Sequence, residues 1–100
     1  MNQAIPNTSV LVPLGHGARG MAGVVVQVGG QSAVGHGFDP AELERRLLEM
    51  GFVEGAKVEI LHEGLIGGDP IAVKLDDARI ALRRREADSV LVRVTAGGAR

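Results

Sequence analysis

One hundred residues, 45% of them apolar and carrying a net charge of −1, describe one globular domain and exclude a disordered chain, a second core or a polycation built for nucleic acid. The absence of cysteine removes disulfide frameworks, thiolate nucleophiles and every zinc site that depends on sulfur. Phe38 and Phe52 are the only aromatics, which disfavours base-stacking platforms and proline-peptide grooves.

Residues 1–9 read as a loose leader. "MNQAIPNTSVLV" lacks the basic start and long apolar run of a secretory signal. No stretch approaches the roughly 20 apolar residues of a membrane span. The expectation is a soluble, cytoplasmic protein with no direct membrane insertion. Gly15, Gly17, Gly20 and Gly23 precede a strand and lack a following Gly-Lys-Ser/Thr, the wrong order for a phosphate cradle. "AGVVVQV" (22–28) predicts a strand with Val24, Val26 and Val28 on one face. "GGQSAVGHG" (29–37) reads as a loop.

"FDPAELERRLLEMG" predicts a helix over about 39–50. Asp39 is its N-cap, Pro40 its first residue, and Glu42 completes a capping box, with Phe38 and Leu43 as a hydrophobic staple. Leu43, Leu47 and Met50 form the buried stripe, and Gly51 closes the helix in the left-handed region. Gly55 then turns the chain into the next strand, with Phe52 and Val53 plugging one end of the core.

Alternation predicts strands at 57–62, 71–75, 79–83 and 90–94, with "EGLIGGDP" as a wide turn between the first two and "RREADS" as one helical turn before the last. "TAGGAR" reads as a frayed tail. The chain therefore reads as mainly β: a small SH3-like barrel of five to six short strands with one inserted α-helix. It forms a single domain over 10–95, followed by a disordered tail over 96–100.

Two sets of residues draw attention as sites. Leu65 and Ile66, with Gly67, Asp69 and Pro70, form a glycine-flanked loop whose apolar pair is hard to bury, the pattern of a partner-binding surface. His16, His36, His62 and Glu63 are the candidate metal ligands, but no His-x-His or His-x₃-His spacing makes them converge. Arg83, Arg84 and Arg85 read as a solvated strand end, neutralised by Glu86 and Asp88. Ser9, Ser32 and Ser89 lack an identifiable base, so no catalytic set is expected and the protein reads as a non-enzyme.

The run "RRLLEMGFVEGAKVEILHEGLIGGDPIAVKLDDARIALRRREADSVLV" resembles the ferrous iron transport protein A (FeoA-like) family. The elements that carry the resemblance are Arg46, Leu47, Met50, Gly51, Gly55, Gly68, Asp69, Pro70 and Ile71, then Ala81, Leu82, Arg83, Arg84, Glu86 and Ala87. It implies an SH3-like barrel without catalysis or cofactor, acting as a cytoplasmic accessory of a membrane ferrous iron transporter that carries its own GTPase domain. Two alternatives stand beside it. "VPLGHGARGMAGVVVQV" is similar to KOW-type SH3-like modules that bind ribosomal RNA or transcription complexes. SH3-like domains of metal-dependent repressors would instead sense a transition metal, here through His16, His36 or His62.

Overall fold

The computed structural model describes residues 10–29 and 39–100. The leader, the loop containing His36, and Phe38 of the expected staple lie outside the described residues.

Helix α1 (Pro40–Met50) forms where the capping residues place it. Asp39 accepts from the Ala41 amide at 3.1 Å, and Pro40 occupies the first turn, where its missing N–H costs nothing. The reciprocal half of the expected capping box is replaced by a side-chain pair: Glu42 reaches forward to Arg45 one turn on. At the other end Gly51 adopts φ 110°, Gly51 N–H donates to Leu48 and Phe52 N–H to Leu47, a Schellman closure. Leu47 and Phe52 are fully buried, so the closing motif is also a core contact. Val53, expected beside Phe52 in the core, points to solvent, because the turn over Val53–Ala56 carries it outward.

Six strands form one antiparallel sheet: β1 (Leu11–Pro13), β2 (Ala22–Val28), β3 (Lys57–Gly64), β4 (Gly68–Leu75), β5 (Ala78–Leu82) and β6 (Val90–Ala96), in the order β1-β6-β2-β3-β4-β5. The period-2 pattern of β3, β4 and β6 sends Val58, Ile60, Ile71, Val73, Leu75, Val90 and Val92 inward, as their alternation requires. In β2 the core face carries Val25 instead of Val24 and Val26, and bulges on either side of it return Val28 to the core edge. Three consecutive valines contain no alternation from which that phase could be read.

β1 and β5 are the two ends of the strand order, and no ladder joins them. A 3₁₀ turn (Leu14–His16) after β1 packs instead against a short helix, α2 (Arg84–Ala87), after β5. Gly15 makes this contact possible: a Cβ there would collide with Asp88 and the Arg84 carbonyl. The C-terminal residues, expected to fray, are docked. Ala18 donates to Gly98 at 3.0 Å and Arg100 to the His16 carbonyl at 2.9 Å, which covers the turn that follows β1.

Candidate functional site

β3 and β4 join through three residues, Leu65–Gly67, with Gly64 opposite Gly68. The connection is a tighter hairpin than the wide turn expected, because Gly67 (φ 66°) and Gly68 (φ 78°) both take left-handed conformations. The tip projects away from the barrel. Leu65 is 101% exposed and Ile66 84% exposed, an apolar pair with no cover of its own. Burying each against a partner is worth about 1.5–3 kcal/mol.

The base of the hairpin is held by Arg84. Its side chain is only 12% exposed and donates four hydrogen bonds: Nε to Gly68 O (2.8 Å), Nη1 to Gly15 O (3.0 Å) and Gly17 O (2.8 Å), and Nη2 to Glu63 Oε1 (2.7 Å). A planar fork with fixed donor directions suits such divergent acceptors, which a lysine could not reach together. The Arg84 amide adds a bond to Asp69 Oδ1 at 2.9 Å. Arg100 completes the frame, donating to the Gly67 carbonyl at 2.9 Å with its Nε 3.4 Å from Glu63.

Glu63 is thus the acidic centre of a basic cluster. The Arg19 backbone N–H donates to it at 2.8 Å and is the main cause holding its carboxyl below the usual carboxylate range. The guanidiniums of Arg84, Arg100 and Arg19 act in the same direction, while partial burial opposes them.

The predicted site residues separate on this geometry. Leu65, Ile66 and Gly67 form the exposed tip, whereas Asp69 is turned to the Arg84 amide and shapes the hairpin from below. Pro70 is exposed in β4 beneath it. Glu63 belongs to the arginine cluster. His62 is exposed on β3 beside Leu61, Ala72 and Arg79, and His16 sits on the 3₁₀ turn with Nε2 3.3 Å from Asp88 Oδ1. The two described histidines do not converge. Among the described residues no group of three His, Asp or Glu side chains could hold a metal, and His16 with Asp88 supplies two donors where a transition metal needs three or four. The described residues therefore do not fit a resident metal.

Arg84 is the residue that sequence reasoning misplaced, as one of three solvated arginines. Its acceptors lie 15 to 69 positions away, so no local pattern marks it. The one signal available was the joint presence of Gly68, Asp69 and Arg84 in the family resemblance.

The FeoA domain family model matches residues 12–94, nearly the whole described barrel. The zinc complex of Stenotrophomonas maltophilia FeoA, described as a prokaryotic SH3 domain protein, is 34% identical over 81% of this chain and 88% of its own, with a TM-score of 0.64. FeoA from Chlorobium tepidum is 30% identical over 85% of this chain and 71% of its own, with a TM-score of 0.65. A manganese-dependent transcriptional repressor shares the fold at 21% identity and a TM-score of 0.66, this chain matching 43% of its length. No curated protein matches.

Proposed function

The chain belongs to the FeoA family, and from that premise we propose that it serves ferrous iron uptake as a cytoplasmic accessory protein, binding a membrane ferrous iron transporter that carries a GTPase domain and performing no chemistry itself. Iron is the transporter's cargo in this reading, and the accessory acts by contact. The observation that carries it is the pair Leu65 and Ile66, exposed side by side on a hairpin whose backbone is clamped by Arg84 and Arg100. Exposed apolar side chains on a rigid projection are what a protein partner with a matching pocket buries. The Stenotrophomonas relative, described in connection with activation of ferrous iron transport, supports the same assignment.

A nucleic-acid role receives no support from a net charge of −1 and two phenylalanines. Metal sensing through the described histidines lacks a third ligand. The test is a Leu65→Glu, Ile66→Glu double variant. It retains the wild-type circular dichroism spectrum and loses at least about 100-fold in affinity for the purified transporter, since two buried apolar anchors are removed. Undiminished binding would refute the assignment.

A further inference from the structure

Around the hairpin, three guanidiniums act on the single carboxylate of Glu63. Arg84 is consumed by its four internal bonds. Arg19 and Arg100 are different: Arg100 spends part of its fork on the Gly67 carbonyl and Glu63, but its side chain stays 46% exposed. Both are exposed, and both stand at the root of the apolar tip: Arg19 through its amide on Glu63, and Arg100 through Gly67. Of the nearby carboxylates, Asp69 is turned onto the Arg84 amide, and Glu63 is shared among the Arg19 amide, Arg84 and the Arg100 Nε at 3.4 Å. A molecule approaching the tip therefore meets apolar side chains first and an excess of positive charge directly behind them.

We propose that the docking surface is composite. Leu65 and Ile66 enter an apolar pocket of a protein partner, and Arg19 and Arg100 receive carboxylates that rim that pocket. The inference rests on the accessory-protein reading above and adds the chemistry of the partner's face. The occupant is an acidic, pocketed protein surface and not an anionic membrane. The hairpin is held in one geometry by six contacts through Arg84, Arg100 and Glu63, a preorganisation that rewards a shaped pocket and gives no advantage in a fluid interface. The chain as a whole, at −1, also has no field directed toward anionic lipid. Arginine suits the rim, because its fork meets a carboxylate at two points while its stem lies along apolar surface.

The experiment measures binding of the full chain to the intact transporter in phosphatidylcholine nanodiscs across a salt series, and separately to phosphatidylcholine–phosphatidylglycerol vesicles. The variants are Leu65→Ser with Ile66→Ser, and Arg19→Gln, whose amide bond to Glu63 is retained. The expected result is wild-type binding that weakens as salt rises, loss of binding in the tip variant, and a roughly 2–5-fold loss with a shallower salt dependence in Arg19→Gln. Wild-type binding that needs the tip but ignores both salt and Arg19→Gln overturns the carboxylate rim and leaves the accessory reading standing. No wild-type binding to the transporter overturns that reading itself. Vesicle binding that Arg19→Gln abolishes assigns the collar to lipid and overturns the proposed partner.

Discussion

Replacing Arg84 by methionine, which keeps the length of the stem and removes the guanidinium, tests whether one side chain closes this barrel. Four hydrogen bonds are lost, three to backbone carbonyls of Gly15, Gly17 and Gly68 and one to Glu63. Bonds to a charged donor contribute about 1.5–3 kcal/mol each, but these four share one donor and are not additive. At 12% exposure the site lies close enough to water for the freed carbonyls to be partly rehydrated. The expected net loss is therefore about 3 kcal/mol, well below the sum of the four. For a domain of this size that is roughly 4–8 °C in Tm per kcal/mol. Urea unfolding at neutral pH measures it, and Arg84→Lys serves as the control. Lysine preserves the charge but presents a point donor, so its stability falls nearer to the methionine variant than to wild type. A loss below about 1 kcal/mol for Arg84→Met would refute the clamp, since that is the scale of an ordinary surface ion pair.

The tip behaves oppositely: Leu65→Ser with Ile66→Ser changes stability by no more than about 0.5 kcal/mol in a thermal melt, because both side chains are already in water. Gly15→Ala is destabilising by about 1–3 kcal/mol in urea unfolding, since its Cβ meets backbone at the Arg84 carbonyl, which cannot swing aside. Glu63 makes the fold acid-sensitive. Its folded-state carboxyl is depressed below 4.5, so its contribution is complete above that pH and is lost as the pH falls through the lower folded value. Glu63→Gln removes that part of the dependence, and the difference between the two stability–pH curves shrinks toward low pH.

Helix α1 and the inner faces of β3, β4 and β6 were legible because their causes are local. A cap, a proline, a stripe and a terminal glycine fall within thirteen consecutive positions, Asp39 to Gly51 bounding Pro40–Met50, and alternation is written in neighbouring residues. The exposure of Leu65 and Ile66 was legible for the same reason, as apolar residues between glycines. Apart from the phase of β2 and the geometry of two turns, what failed depended on partners distant in the chain. The docking of the last residues needs the 3₁₀ turn at Leu14–His16, and the burial of Arg84 needs carbonyls at Gly15, Gly17 and Gly68. In the sequence Gly15 and Gly17 stand out only as glycines in the wrong order for a phosphate cradle. They are close-packing positions, where a Cβ at Gly17 would stand 2.5 Å from Ile60 Cδ1. Composition cannot separate a glycine that permits motion from one that permits contact.

The clamp and the tip are adjacent but not equivalent, and that difference gives the arrangement its consequence. Ordering a loose segment on association costs about 0.5–1.5 kcal/mol for each side chain immobilised, with backbone ordering in addition. Arg84 and Arg100 fix the carbonyls of Gly68 and Gly67, where the turn enters β4, so the isolated chain has already met much of that cost in folding. Arg84→Met touches no side chain of the tip, yet it releases the β4 end of the hairpin. At a temperature where the variant remains folded, its affinity for the proposed transporter partner therefore falls by roughly 5–10-fold, the equivalent of about 1 kcal/mol of restored hairpin freedom. Hydrogen exchange at the Asp69 amide, bonded to Ile66 at 3.2 Å, reports the same loosening independently. Weakened association with unchanged protection at Asp69 would mean that Arg84 acts on the partner directly and not through the hairpin.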